Sequence, residues 1–443
     1  MKKEQLSRRG RAVCLLIAIV LIFLTLASCT KTAGSDTIHS KETLKANVDG
    51  GSDSSFSFVW QYLDEWEFPR FTSSKVKSVE VTFREKFFED IPEASELSKK
   101  VAVEFLTSYY DVVDLGNEEK VTDAIINSYV SSLGDRYSVY RTKEEYNDYS
   151  SEMSGNYTGV GIVVTESDDG LILINDVLEG GSAHESGILA GDIITAVDGI
   201  LVAKRGYRDS IDAVSGEEGT TVTLTVDRDG ESISFTLTRR KLTESSVRYS
   251  LEGGIGYIKI SSFKSNTDEQ FIEAINYMEQ NGAKGIIYDL RNNTGGYLSS
   301  VINALDYVAP KGTTLASFSN NYDKDKVSTS SHAYLIPSVV ICNEMTASAG
   351  ELFTAGIRDL AALGYFDATL VGTKTFGKGI MQGTYNLTDG SSITLTVAYY
   401  MPTSGQNYHN VGITPDVVVE RSKTGDEQLD AAYTEIQALL NQK

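Results

Sequence analysis

The sequence predicts a multidomain α/β chain of the α+β kind, and three observations predict it. The chain has 443 residues, beyond the ~250 at which a single core stops growing, so two or three domains are expected. Residues 151 to 245 are short β-rich runs parted by Gly, Asp and Ser. After Arg240 strands and helices alternate, which implies a largely parallel sheet covered by helices. The composition, 41% hydrophobic and 23% charged, fits neither wholesale disorder nor a multi-pass membrane protein. Net charge is −21 although the first 28 residues hold five basic groups against one acidic, so the remainder is more acidic still. Nucleic acid is thereby excluded as a partner, because binding phosphates needs basic surface.

In chain order, residues 1–28 read as an export signal, a basic stretch to Arg11 followed by an apolar run from Ala12 to Ala27. Leu26-Ala27-Ser28-Cys29 resembles a bacterial lipobox. That resemblance implies that Cys29 receives lipid, becomes the first residue of the mature chain and anchors it to the outer face of a bacterial membrane. An uncleaved signal anchor is the alternative, for which the apolar run alone is marginal; either way the body lies outside the cytoplasm. Cys342 is the one cysteine left in the mature body, so neither a disulfide nor a thiolate metal site is expected, and no cofactor. Residues 29–75 form a polar tether and an aromatic lead-in from Phe56 to Phe71. Residues 76–150 form a helical region, with helical spacing in Leu97, Val101, Phe105 and again in Val121, Ile125, Tyr129.

Residues 151–245 contain Gly159-Val160-Gly161-Ile162 entering a strand, then Ser186-Gly187-Ile188-Leu189-Ala190-Gly191-Asp192-Ile193-Ile194 and Val197-Asp198-Gly199. Tyr207, Ile211 and Val214 share one helix face. A lone Gly-x-Gly is more often a plain turn, but the whole run resembles a PDZ domain of the bacterial protease type. The resemblance implies that backbone N–H groups of Gly159, Val160, Gly161 and Ile162 meet the free terminal carboxylate of a peptide, which adds as a strand. Ser182 stands where that family usually has proline, which should loosen the turn.

Residues 246–443 hold strands at Gly256–Ile260, Gly285–Leu290 and Val339–Cys342. Thr267-Asp268-Glu269-Gln270 reads as a capping box ahead of the stripe Phe271, Ile275, Met278. Ser348 lies at a predicted helix start, where serine is by default an N-cap. The alternative is a nucleophile whose oxyanion is held by the N–H groups of Ala349 together with Gly295 or Gly296. A nucleophile needs a base. His39, His184, His332 and His409 lie in no turn-and-glycine motif, so nothing supports a Ser-His-Asp arrangement. Lys378 sits between two glycines just past the strand Thr369–Gly372. It is a base only when neutral, so its pKa must fall from ~10.4 toward ~7–8, at ~4 kcal/mol of folding stability; the bland reading is a solvated turn lysine. If Ile380–Tyr385 is a strand, Gln382 shares a face with Lys378 and its amide could orient the amine.

Asp289–Gly296, Asn343–Glu351 and Thr375–Gln382 together resemble, in order, the motifs of the carboxyl-terminal processing peptidases, or tail-specific proteases. The resemblance extends to Leu133–Tyr140, Tyr399–Pro402 and Gly412–Asp416, and covers about residues 90–443. It implies a crotonase-like α/β catalytic core with an inserted PDZ domain and an N-terminal helical region. It also implies Ser348 as nucleophile, Lys378 as general base, Gln382 as its orienting partner, an acyl-enzyme, and polypeptide substrates with free C-termini. Two departures are Gly350, where the family often has serine, and a longer spacing from Ser348 to Lys378, absorbed around Ala361–Asp367. Two other readings stand beside a lipid-anchored endopeptidase: a non-catalytic PDZ lipoprotein that binds peptides, and a Ser-His esterase. The sequence leaves a homo-oligomer open. The stretch after Thr424, with Leu429, Ile436 and Leu440 spaced along it, reads as a closing amphipathic helix.

Overall fold

Val121, Ile125 and Tyr129 recur at helical spacing and are fully buried on one face of α1 (Glu118–Ser132). They pack on Ile393 and Leu395, more than 260 residues away in the chain. The computed structural model describes residues 117–442 except 168, 320, 321, 423 and 424, together with isolated positions from Val79 to Val113. The export signal, Cys29, the tether, the aromatic lead-in, Leu97, Phe105 and Thr424 lie outside the described residues. Beyond α1 come β1 (Val139–Arg141) and α2 (Lys143–Ser154), the latter capped by Thr142 and Glu145 reciprocally and ended by Gly155 in the left-handed region.

β2 (Asn156–Gly159) then leads into a small β domain of β3 (Ile162–Glu166), β4 (Ile172–Val177), β5 (Ile193–Val197), α3 (Tyr207–Val214), β6 (Thr221–Arg228) and β7 (Glu231–Thr238). Its strands run in the order β3-β4-β5-β6-β7, so among the described residues β3 is an open edge. β8 (Arg240–Thr243) pairs antiparallel with β2, so the segments entering and leaving the domain form one ribbon. Ser182 opens a short helix, Ser182–Ser186, at a first position where proline also fits. The serine hydroxyl there is buried without a hydrogen-bond partner among the described residues.

The C-terminal half contains β9 (Val247–Glu252), β10 (Ile255–Ile260), α4 (Thr267–Gln280), β11 (Gly285–Asp289), α5 (Leu298–Val308), β12 (Thr314–Phe318) and β13 (Ser338–Cys342). α6 (Ala349–Ala362), β14 (Ala368–Gly372), β15 (Ile380–Asn386), β16 (Ser392–Pro402), β17 (Val417–Val418) and α7 (Glu427–Asn441) follow. The central sheet runs β9-β10-β11-β13-β14-β17 and is parallel apart from β9. Successive side chains point to opposite faces of such a sheet. Ile286, Tyr288, Val340 and Leu370 therefore join Phe271 of α4, Leu305 of α5 and Phe353 of α6. Ile287, Val339, Ile341 and Val371 meet Ala432 and Ile436 of α7 on the other side. A second sheet centres on β16, which pairs with β1, β12 and β15.

The capping box expected at Thr267–Gln270 does not form. Thr267 Oγ1 instead accepts the Lys264 N–H at 2.8 Å, and Gln270 Oε1 accepts the N–H groups of Ser246 and Val247. The incoming β9 segment competes for the same side chains, and a tertiary partner displaces the local one.

Candidate active site

The loops leaving the C-terminal ends of β11, β13 and β14 converge, as parallel sheets arrange them. Asparagines lace the first two together. Asn292 N–H donates to Asn343 Oδ1 at 3.0 Å and Asn343 Nδ2 returns a bond to Asn292 Oδ1 at 2.8 Å. Asn293 Nδ2 donates to Ile260 O, while its own carbonyl takes the Ala347 N–H. Thr346 Oγ1 donates to Leu290 O at 2.9 Å. Gly350 has a local reason for being glycine, since a Cβ there would stand 2.9 Å from Asn293 O.

Ser348 is the residue before α6, with φ 55° and ψ −118°. An ordinary N-cap is extended; this conformation is outside the left-handed basin too, and strain of that kind is kept only where surrounding structure enforces it. Gly295 lies against it so closely that a Cβ would come within 2.7 Å of Ser348 Cβ. The N–H groups of Ala349 and Gly296 make no hydrogen bond among the described residues. Gly295 does not belong with them, because its N–H donates to Asn293 Oδ1 at 2.9 Å. The pair able to hold an oxyanion is thus Ala349 and Gly296. Position 296 admits no side chain, since its Cβ would fall 2.1 Å from Phe263 O.

Lys378 is half-buried and its amine lies over the Tyr137 ring, 4.7 Å from the centroid. Burial, helped by the charge of Arg136, pushes its pKa below the ordinary lysine value, while Asp135 and Glu351 pull the other way. No carboxylate bonds the amine among the described residues. The Lys378 main chain is held at both ends, its N–H by Glu351 Oε2 at 2.7 Å and its carbonyl by the Tyr400 hydroxyl at 2.9 Å. The same Glu351 oxygen takes the Ser348 N–H at 3.0 Å, which brings the two loops together.

Gln382 does not reach Lys378 by a hydrogen bond. Its Nε2 donates to Thr396 Oγ1 at 3.1 Å, and Thr396 donates to Asp135 Oδ2 at 2.6 Å. β15 forms where the sequence placed a strand, but it begins only at Ile380 and its ladder with β16 shifts register between Met381 and Gln382. His409, which lies in no sequence motif, stands in the wall of the site: Nδ1 accepts the Gly379 N–H at 3.3 Å and the ring meets Tyr137 and Tyr399 edge-on. Burial, then Arg136, lowers its pKa. His332 is elsewhere, stacked on Tyr307, and His184 lies in the β domain. Sequence reasoning assigned no role to Asp135, Tyr137, Glu351, Tyr400 or Tyr408. The motifs Leu133–Tyr140 and Tyr399–Pro402 were the available signal, and β1 and β16 carry both into the site by pairing.

In the β domain, Val160 and Gly161 give their carbonyls to Ala183 N–H and Leu178 N–H, and their own N–H groups make no hydrogen bond among the described residues. Gly161 has φ 88° and crosses Gly181 so closely that a Cβ would lie 2.8 Å from its Cα. Ile162 begins β3 opposite Val177 of β4, on the strand that has no further neighbour in its sheet among the described residues. Gly159 instead ends the β2–β8 ladder opposite Arg240.

Residues 254–419 match peptidase family S41, and residues 158–238 match the PDZ domain. A "Probable CtpA-like serine protease" of Staphylococcus aureus (strain MRSA252) is 32% identical over 311 residues, 69% of this chain and 62% of its own. A protein of the same description from Staphylococcus haemolyticus (strain JCSC1435) is 32% identical over 325 residues, 72% of this chain and 64% of its own. The chain thus spans a little under two thirds of the length of these curated relatives. The crystal structure of an S41-family chain from Bacteroides fragilis NCTC 9343 is similar with a TM-score of 0.50 and 16% identity, over 83% of this chain and 97% of that one, which bears on the fold alone. The matches thus show a domain of the peptidase family S41 type at residues 254–419, preceded in the chain by a PDZ domain at residues 158–238.

Proposed function

We propose that the protein is an extracytoplasmic serine endopeptidase that cleaves polypeptides with a Ser348/Lys378 dyad and recognises their C-terminal tails through its PDZ domain. The observation that carries the reading is one carboxylate oxygen of Glu351 binding the main-chain N–H of both Ser348 and Lys378. The neutral amine takes the Ser348 proton as the hydroxyl oxygen attacks the scissile carbonyl, Ala349 and Gly296 N–H groups hold the oxyanion, and the amine returns the proton to the leaving nitrogen. Water then hydrolyses the acyl-enzyme by the same route. Incubating the protein with an unfolded polypeptide and sequencing the products should reveal internal cuts that vanish in Ser348→Ala. A pure peptide-binding protein would release no fragments.

The unpaired N–H groups of Val160 and Gly161 beside an open strand edge support the tail-binding part. A peptide ending in a free carboxylate should bind about 2 kcal/mol more tightly than its C-terminal amide, since charge-assisted bonds are lost on amidation. Equal affinity of the two peptides would count against carboxylate capture. The location rests on Leu26-Ala27-Ser28-Cys29. Metabolic labelling with a fatty acid should mark the parent and leave Cys29→Ser unlabelled; equal labelling would sink the lipid anchor.

A further inference from the structure

We propose that Glu351 is a positioning residue that fixes Ser348 and Lys378 relative to one another through their main chains, an inference resting on the dyad reading above. The Glu351 side chain is fully buried. Oε2 accepts from Ser348 N at 3.0 Å and Lys378 N at 2.7 Å; Oε1 accepts from Gly377 N at 2.7 Å and Thr375 Oγ1 at 2.5 Å. No cation pairs with the carboxylate among the described residues; burial pushes its pKa above the usual value, and the four bonds from Thr375, Lys378, Gly377 and Ser348 pull against that by favouring the ionised form.

A glutamate at the third position of a helix ordinarily reaches back to the N-cap N–H, and a capping role would account for the bond to Ser348. It does not account for the other three bonds, which all go to the loop carrying Lys378, 24 to 27 residues further along the chain. The donor set also selects an ionised acceptor. Thr375 Oγ1 accepts the Ile413 N–H at 2.7 Å, which directs its own proton toward Glu351. Each carboxylate oxygen therefore faces at least one main-chain N–H, and an amide in either orientation sets its NH2 against one of them.

From the opposite side, Tyr400 donates to Lys378 O, and Tyr408 donates to Tyr400 at 3.0 Å. Burial keeps both phenols protonated. Lys378 is thus clamped between a buried anion and a buried phenol, while its side chain alone projects over Tyr137. The Glu351 carboxylate bonds neither the amine nor the Ser348 hydroxyl; it holds the two backbones in place, and its charge acts separately by favouring the protonated Lys378 amine.

The test compares Glu351→Gln and Thr375→Val with the full-length parent, and Ser348→Ala is run beside them. A folded Glu351→Gln should lose about 100-fold in kcat, the cost of misplacing reacting groups by about 1 Å, with KM little changed because no substrate contact is removed. Thr375→Val removes one of the four bonds and should lower kcat severalfold at unchanged KM. Melting curves and active-site titration would show that the loss is per folded molecule. A folded Glu351→Gln that turns over within about threefold of the parent overturns the proposal. Should Glu351→Gln fail to fold, Thr375→Val decides, and parental kcat there overturns it. Parental turnover in Ser348→Ala would instead remove the dyad reading on which the inference stands.

Discussion

Lys378→Arg is expected to leave a folded protein with almost no proteolysis, at least about 10³-fold below the parent. Arginine keeps the charge and most of the bulk but does not shed its proton at any working pH. In the parent, burial lowers the Lys378 pKa below the ordinary lysine value, with Asp135 and Glu351 opposing and Arg136 assisting, so its proton is held less tightly. Turnover should therefore rise with pH on a limb lying below the usual lysine range near ~10.4. The same shift has a stability consequence whose sign is fixed. Between the lowered folded pKa and the ordinary unfolded one, the unfolded chain binds the extra proton, so this group costs stability that returns as pH rises through that window. Lys378→Met, which has no charge to desolvate, should fold at least as well as the parent and be inactive. Replacing His39, His184 and His332 with glutamine should leave turnover in place, whereas His409 is retained because its ring holds the Gly379 N–H. Proteolysis by Lys378→Arg at a rate near the parent's would eliminate the lysine as base.

Arg291→Ala should lose about 3–5 kcal/mol of folding stability, the effect of stripping one partner from a buried ion pair. Asp289 is fully buried at the end of β11. Arg291 Nε and an Nη bind its two oxygens at 2.9 and 2.7 Å, and the other face of the guanidinium binds Asp426, the N-cap of α7. One substitution thus strands a carboxylate and unties the helix that covers a sheet face. Tyr257 at 2.7 Å and Lys259 at 3.5 Å remain, which sets the upper bound. Burial pushes the Asp289 carboxyl up, but bonding and charge from Arg291, then Tyr257 and Lys259, bring it below the usual value. A depressed carboxylate contributes stability that is present above its unfolded pKa of ~3.9 and lost as pH falls through the folded one. Parent and variant should accordingly converge in acid when urea unfolding is followed from neutral pH downward. A difference under about 1 kcal/mol at neutral pH would show the network to be idle.

The order of strands and helices, the buried stripe of α4 and the positions of Ser348 and Lys378 could be read from the sequence because they depend on local physics. Periods of two and near four mark which faces are apolar, and bracketing glycines mark where the backbone comes close. Gly296 shows the limit of that reading: its letter announces a tight place, but only the fold identifies Phe263 O as what it avoids. The errors share a cause. Gln270 was given to its own helix and went to β9; Gln382 was given to Lys378 and went to Thr396; Gly295 was given to an oxyanion and its N–H went to Asn293. Gly295 and Gly296 were alternatives for the oxyanion, and the bond to Asn293 leaves Gly296; in each case a polar group had several partners within reach, and the tertiary structure chose among them. The sequence by itself determined the elements, the PDZ and peptidase motifs and the residue types of the site. The tertiary structure alone decided the clamp at Glu351 and the approach of Asp135 and Tyr137 to Lys378. Those contacts are made largely by main-chain N–H groups, which no residue letter distinguishes, and by segments more than 200 residues apart that meet only when β1 pairs with β16.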